Sequence, residues 1–248
     1  MMTELKEVTT KILSILKVDD ISQFIEGVEK CVFGNNSSEI FDEYISCFPD
    51  LTVDWMQRIY QFYHADREGL KQDYTPMSLS RLVAFLTETG EMPQKVLDCC
   101  AGSGSLSIQK WSLNKKDSFV CEELDDKVIP VLLFNLSIRN IEAVVINKNV
   151  MSGEVFNSYK VTSGNKYSNI EKLMFPPEYE MQEVCISNPP FNLKKQAPYE
   201  EISKDKFEEL QKEMDLLQIN WEEMYAYESE DETTSSRELA CVSGACEL

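Results

Sequence analysis

The first quarter of the chain carries apolar residues at helical spacing. Within residues 3–17 they recur three or four positions apart, at Leu5, Val8, Ile12, Ile15 and Leu16. Three similar stretches follow, each preceded by polar residues that can cap a helix. The stretches are 21–33, 39–48 and 53–63, and the caps are Asp20 with Gln23, Ser38 and Thr52. The pattern predicts a small helical bundle over residues 1–68, with its aromatic side chains in the core.

After residue 74 the pattern changes to short apolar runs that alternate with helical stretches. Thr75 followed by Pro76 can open a helix over 77–88. The apolar runs are KVLDCC (95–100), SFVCEE (118–123), AVVINKN (143–149) and EVCISN (183–188), with helices near 104–114 and 126–139. This alternation predicts an α/β domain with a parallel, doubly wound sheet. The 33 residues between the third and fourth runs are too many for a simple crossover and predict local structure of their own.

The first apolar run leads into a glycine-rich turn, DCCAGSGSL, at residues 98–106. Glycines where a strand gives way to a helix let the backbone approach a ligand and leave the N–H groups of the helix available. The residues that this predicts at a ligand are Asp98, Ala101, Gly102, Ser103 and Gly104. The alternative is a turn that needs glycine for its geometry alone.

Two further segments suggest binding chemistry. The second run ends in Glu122-Glu123-Leu124-Asp125, about 20 residues after the glycines, where a carboxylate can accept two hydrogen bonds from a ribose diol. We prefer Glu123 for that role, although a solvated strand end fits the same residues. The fourth run ends in Asn188-Pro189-Pro190-Phe191. Here the Asn188 side chain and the Pro189 carbonyl can converge as acceptors for an amine, while Phe191 stacks on a base; a plain Asn-Pro turn is the alternative.

In this order the segments resemble the gamma class of DNA N6-adenine methyltransferases, in particular modification subunits of type I restriction systems and their phage relatives. The resemblance covers about residues 66–193. It implies a Rossmann-like methyltransferase domain over 69–195, S-adenosylmethionine as the cofactor, and methyl transfer to the N6 amine of an adenine flipped out of DNA.

The resemblance also assigns roles to single residues. Tyr74, Thr75 and Pro76 match a segment that contacts the methionine end of the cofactor, and Asp98, Gly102 and Gly104 match the cofactor loop. Glu123 matches the ribose-binding acid, supported by Asn135, and Leu124 beside it is expected to bind the cofactor. Asn149 stands where the family commonly has an aspartate against the cofactor adenine. Asn188, Pro189, Pro190 and Phe191 match the catalytic tetrad.

The acidic end of the chain departs from the family pattern. After Phe191 there are 57 residues, whereas the family has three further strands. We therefore expect an incomplete sheet and, over 196–248, an acidic helical tail that is partly disordered. Truncation, a split gene or a degenerate copy would each explain this.

Charge and composition limit the function further. The net charge is −19, and residues 200–248 hold fifteen acidic and four basic residues. Because DNA-binding surfaces are usually basic, we expect a specificity subunit or another partner, in a homo- or hetero-oligomer, to supply the DNA contacts. The chain shows no signal peptide or membrane span, which predicts a cytoplasmic protein. Eight cysteines without a C-x-x-C pair and a single histidine predict reduced thiols and no metal site.

Two other functions remain open at this point. Asn-Pro-Pro-aromatic also occurs in protein glutamine methyltransferases and RNA base methyltransferases, both of which present a planar amide or amine. The chain could also be a catalytically incomplete cofactor-binding or interaction module, which its acidity favours.

Overall fold

The computed structural model describes residues 2–65, 74–90, 92–179 and 182–189. Its helices are α1 (Met2–Leu16), α2 (Phe24–Phe33), α3 (Ser37–Cys47), α4 (Trp55–Tyr63), α5 (Met77–Leu86), α6 (Ser105–Leu113) and α7 (Ile129–Ile138). A short 3-10 helix, Ile21–Gln23, precedes α2. In these parts of the chain no helix has the length and apolar character needed to cross a membrane.

One mixed sheet lies at the centre of the molecule. Its strands are β1 (Lys95–Cys99), β2 (Ser118–Glu123), β3 (Glu142–Lys148), β4 (Val155–Thr162), β5 (Asn169–Leu173) and β6 (Val184–Ser187). They lie in the order β5-β4-β3-β2-β1-β6, and β3, β2, β1 and β6 are parallel. The prediction of a Rossmann-like α/β sheet with an N-terminal helical region is confirmed.

The long excursion between the third and fourth predicted strands adds two strands to the sheet. β4 pairs antiparallel with β3, and β5 pairs antiparallel with β4. The sheet is therefore mixed: the four predicted strands are parallel, and the excursion, for which local structure was predicted, contributes an antiparallel edge. Since antiparallel neighbours need only a short connection, this segment extends the edge without a crossover helix.

The strand order creates a switch point between β1 and β6. From β1 the chain moves outward through α6 to β2 and through α7 to β3, and it later returns to place β6 on the other side of β1. In open α/β sheets, ligands bind in the crevice outside the carboxyl ends of the strands where the order reverses. In this protein the switch point lies where β1 and β6 end.

Helix α7 is buried along its whole length, because it packs between the sheet and the amino-terminal helices. The ring of Phe134 meets Phe41 and Tyr44 of α3 edge-on, with centroid distances of 5.1 and 5.3 Å. The aromatic residues of the amino-terminal helices thus pack against the α/β layer, and one core runs from α1 to β6.

The helix caps differ in part from the predicted ones. The capping box of Asp20 and Gln23 is confirmed. Ser38 lies inside α3, which begins at Ser37, and Pro76 rather than Thr75 precedes α5. Asp54, not Thr52, caps α4, because the hydroxyl of Thr52 donates to Asp50.

Candidate active site

The glycine turn and the Asn-Pro turn leave the sheet side by side. Cys99, the last residue of β1, is in register with Ser187, the last residue of β6. The Ser187 hydroxyl donates a hydrogen bond to the Cys99 carbonyl. Parallel neighbours bring their carboxyl ends to the same edge, so the turns that carry Gly102 and Asn188 leave the sheet at the same edge, at the switch point.

Two glycines give the turn after β1 its shape. Gly102 and Gly104 adopt φ angles of +56° and +91°, in the left-handed region. A Cβ on Gly102 would lie 3.0 Å from the Tyr74 ring, and one on Gly104 would lie 2.9 Å from Leu132. The turn therefore depends on glycine both for its conformation and for the close approach of Tyr74.

Asp98 lies beneath this turn and is completely buried. Its Oδ2 accepts a hydrogen bond of 2.7 Å from the Ser107 hydroxyl, while Oδ1 has no partner among the described residues. Burial raises the pKa of Asp98 to about 7, and the negative charge of Glu123 adds to the rise. A buried acceptor without a partner is rare in folded proteins and indicates a place for a donor from a ligand.

Glu123 borders the crevice from β2. Its carboxylate accepts hydrogen bonds from the backbone N–H of Gly102, at 2.7 Å, and of Asp125, at 2.8 Å. Each carboxylate oxygen keeps further lone-pair capacity. Burial raises the pKa of Glu123, and the two backbone donors oppose that rise. Glu122 points to the opposite face, where it binds Lys148 and Tyr179, so the structure places Glu123 rather than Glu122 at the turn.

Tyr74, Thr75 and Pro76 reach the glycine turn from the other side. The Tyr74 ring lies against Gly102 and meets the Tyr60 ring edge-on, with centroids 6.0 Å apart. Burial raises the pKa of Tyr74 well above its usual value, and the neighbouring Tyr60, Glu123 and Asp125 add to the shift. The Thr75 carbonyl accepts a hydrogen bond of 3.3 Å from the Gln57 side chain, which ties this segment to α4.

Two further predicted site residues lie at the edge of this arrangement. Leu124, which follows Glu123, keeps 43% of its surface exposed. The Asn149 side-chain oxygen accepts hydrogen bonds from the N–H groups of Met151 and Ser152, so it stabilises the turn after β3. Asn147, which the sequence reasoning missed, is buried and donates to the Glu123 and Leu124 carbonyls. The alternation of side chains along the INKN run places Asn147 on an inward-facing position, and this pattern could have identified it from the sequence.

A buried polar network behind the glycine turn was also missed. Both oxygens of Asp54 accept hydrogen bonds of 3.0 Å from the Asn135 side chain, and Oδ2 accepts one of 2.9 Å from Ser103. Asn135 also donates to the Ser103 carbonyl, at 2.9 Å. Asn135 therefore bonds to the glycine turn and to Asp54.

Arg139 completes this network from the end of α7. Its guanidinium donates to the Asn135 side chain at 2.9 Å and to the carbonyls of Leu51 and Val53 before α4. Burial raises the pKa of Asp54, and the positive charge of Arg139 is the strongest opposing influence. An arginine four residues after an asparagine, in an otherwise apolar helix, was the sequence signal for this network.

Some of the remaining predicted residues belong to the described parts of the chain and others do not. Asn188 is half-buried and Pro189 is exposed. Pro190, Phe191 and the predicted tail over 196–248 lie outside the described residues. Within the described ranges, no three or more side chains gather in a way that could hold a metal ion. The individual roles assigned to the site residues stay predictions.

The fold defines a Rossmann-like α/β protein in which the glycine turn and the Asn188 turn follow the two strands at the switch point. The chain belongs to the N-6 DNA methylase family, whose model matches residues 52–232. The match includes Asp54 and extends beyond both ends of residues 66–193, which the sequence resemblance covers. Searches among curated proteins and among solved structures found no match.

Proposed function

We propose that this protein transfers a methyl group from S-adenosylmethionine to the N6 amine of adenine in DNA, as a gamma-class enzyme of the N-6 DNA methylase family. The observation that carries the proposal is the register and the hydrogen bond between Cys99 and Ser187, the last residues of β1 and β6. The glycine turn and the Asn188 turn follow these two residues directly, which supports a shared crevice for a cofactor and an amine. The order of the two motifs along the chain supports the gamma class.

The residues at the crevice fit the proposed cofactor. The unpartnered oxygen of Asp98 offers an acceptor for the amino group at the methionine end, beside Tyr74 and the Gly102 turn. The Glu123 carboxylate retains acceptors for a ribose diol, and the exposed side chain of Leu124 can cover an adenine ring. When bound, S-adenosylmethionine supplies a methyl group activated by a sulfonium.

The chain contributes to the reaction mainly by positioning. The Asn188 side-chain oxygen and the Pro189 carbonyl would accept both hydrogens of the adenine amine and direct its lone pair toward the crevice. Ser187 fixes this turn against β1, since its hydroxyl binds the Cys99 carbonyl. No enzyme nucleophile is required. The assignment of Phe191 to base stacking rests on the resemblance alone.

The charge of the chain supports a partner in DNA recognition. A net charge of −19 opposes binding to the phosphate backbone. A specificity subunit or another basic protein would then supply phosphate contacts and sequence choice. We therefore propose that this chain acts in a hetero-oligomer and in the cytoplasm, where a modification enzyme meets its DNA.

A tritium-transfer assay tests the proposal. The full chain is incubated with methyl-labelled S-adenosylmethionine and with DNA, RNA or protein acceptors, with and without cell extract. We expect label in the N6 position of DNA adenine, and its loss in Asn188→Ala. Asn36→Ala is a matched control, because Asn36 is exposed and its side chain makes no capping hydrogen bond.

Other outcomes would redirect the assignment. Label in protein or RNA instead of DNA would favour a glutamine or RNA base methyltransferase. Calorimetric binding of the cofactor without transfer to any acceptor would favour an incomplete methyltransferase that serves as a binding module. Equal transfer by Asn188→Ala and the native protein would refute the role of Asn188.

A further inference from the structure

Two thiols lie together at the junction of β1 and β6. The sulfur atoms of Cys99 and Cys185 are 3.9 Å apart. Cys99 is in register with Ser187, and Cys185 with Leu97, so the two cysteines are diagonal neighbours on adjacent parallel strands. They share the face of the sheet opposite Asp98, because successive residues of a strand point to opposite faces.

This geometry is unfavourable for a disulfide. With strands about 4.8 Å apart and a rise of about 3.3 Å per residue, diagonal neighbours have Cα atoms roughly 8 Å apart. A disulfide usually requires a Cα separation of about 4.4–6.8 Å. The hydrogen bonds of the β1–β6 pair hold the two backbones in register, so direct S–S bond formation would require one strand to move.

The same geometry suits one atom that bonds both sulfurs. Two metal–sulfur bonds of about 2.3 Å at a tetrahedral angle separate their sulfurs by roughly 3.8 Å. The observed separation is 3.9 Å. A soft, thiophilic centre can therefore bridge the pair with side-chain adjustments alone. Cys185 is exposed and Cys99 is half-buried, so the pair can be reached from solvent.

The surroundings favour a bridging ligand over reaction of a single thiol. Burial, followed by the neighbouring Cys185 and the carboxylate of Glu122, raises the pKa of Cys99 to about 12. At neutral pH Cys99 is thus a thiol, which is a weak nucleophile toward alkylating agents and peroxides. A divalent cation that displaces both thiol protons is in addition attracted by the nearby carboxylate of Glu122.

We propose that Cys99 and Cys185 form a dithiol site for a soft thiophilic centre, and that its occupancy inhibits the enzyme. With a trivalent arsenical oxide, two S–H bonds break, two As–S bonds form, and the oxide oxygen leaves as water without a change in oxidation state. A cadmium ion would replace the same two protons and keep solvent ligands, since no third metal-ligating side chain joins the pair in the described residues.

The inhibitory part of this inference rests on the proposed methyl transfer. Cys99 is followed within three residues by Gly102, and Cys185 is followed within three residues by Asn188. A bridge at the base of both turns would fix their separation and restrict the adjustments that closure on a substrate requires.

Intact-protein mass spectrometry with phenylarsine oxide, and cadmium titration followed by thiolate absorbance, test the site. All proteins carry Cys241→Ser and Cys246→Ser, so that these thiols cannot compete. We expect one equivalent of either probe to bind, and binding to be lost in both Cys99→Ser and Cys185→Ser. Cys47→Ser is the matched control, because this half-buried cysteine lies on α3, away from the pair. Circular dichroism checks that each variant is folded.

The outcomes distinguish an arsenical from a metal ion as the ligand, and they test the dithiol site separately from the proposed methyl transfer. Binding of one probe alone identifies the class of ligand and supports the site. Binding of neither probe, or an adduct that persists in both serine variants, overturns it. Cys185→Ser should keep methyl transfer and resist the arsenical. If the untreated native protein transfers no methyl group, the proposed function is contradicted. The binding data would still show whether Cys99 and Cys185 form a dithiol site.

Discussion

The carboxylate of Asp54 accepts a hydrogen bond of 2.9 Å from the hydroxyl of Ser103, which lies between the two glycines of the turn after β1. These residues are 49 positions apart in the chain. Asp54 also caps α4, through the backbone N–H of Gln57. The amino-terminal helices are thus directly bonded to the segment that we propose to hold the cofactor.

Replacement of Asp54 by alanine should weaken both the fold and the cofactor site. It would remove a negative charge that offsets the buried Arg139 and would leave the Ser103 hydroxyl without its acceptor, and an unsatisfied buried polar group costs about 1–3 kcal/mol. Urea denaturation should show this loss, and calorimetry should show weaker binding of S-adenosylmethionine. Asp19→Ala, at an exposed position, should change neither quantity. If Asp54→Ala unfolds with the same free energy as the native protein, the hydrogen bonds of Asp54 do not stabilise the fold.

Alanine at Gly102 should impair cofactor binding more than stability. The left-handed conformation costs an alanine about 1 kcal/mol, and the new Cβ would press on the Tyr74 ring. We expect an affinity loss of about 10-fold, which corresponds to about 1.4 kcal/mol. Gly153→Ala is the matched control, because it has a φ of +78° but open space around its Cβ position. Equal affinities in the two variants would argue against the contact with Tyr74.

Glutamine at position 123 should weaken cofactor binding, whereas glutamine at 122 should not. Hydrogen bonds to a charged group are worth about 1.5–3 kcal/mol, so Glu123→Gln should raise the dissociation constant by roughly 10- to 100-fold. Glu122 binds Lys148 on the opposite face, so its replacement should alter stability alone. Titration calorimetry of both variants compares the two positions, and the reverse result would reassign the ribose-binding acid.

The contribution of Asp98 to the stability of the free protein should fall as pH rises from about 4 to about 7. Burial raises the pKa of Asp98 from 3.8 to about 7, so between these values the folded state binds more protons than the unfolded state. The free energy of unfolding therefore decreases with pH over this range, by up to a few kcal/mol. Asp98→Asn should flatten the profile, as measured by urea denaturation at pH 5 and pH 8. An unchanged slope in this variant would show that Asp98 titrates normally.

The sequence predicted the parallel strands closely, because each is a short apolar run beside a helix. β2 has its predicted limits, 118–123, and β1, β3 and β6 differ by one residue at their ends. β4 and β5 were not predicted as strands. β5 has one partner strand and only half-buried or exposed residues, so its pattern lacks the continuous apolar run of a central strand.

The site was predictable where it depends on local sequence. The glycine turn and the Asn188 turn follow strands that could be recognised, and strand order brings them together. The contacts of Asp54 with Asn135 join residues 81 positions apart, and no local pattern specifies that pair. Asn149 was predicted from a family position, whereas its side-chain oxygen binds the turn that follows it.

Helix α7 is covered on both of its sides, so removal of the amino-terminal helices would expose one of them. One side of this helix belongs to the sheet, and the other is covered by the helices that precede residue 65. A fragment that starts at Tyr74 would present Phe134 and its neighbours to water and would be prone to aggregate. The first quarter of the chain thus covers one side of α7 and shares one core with the sheet.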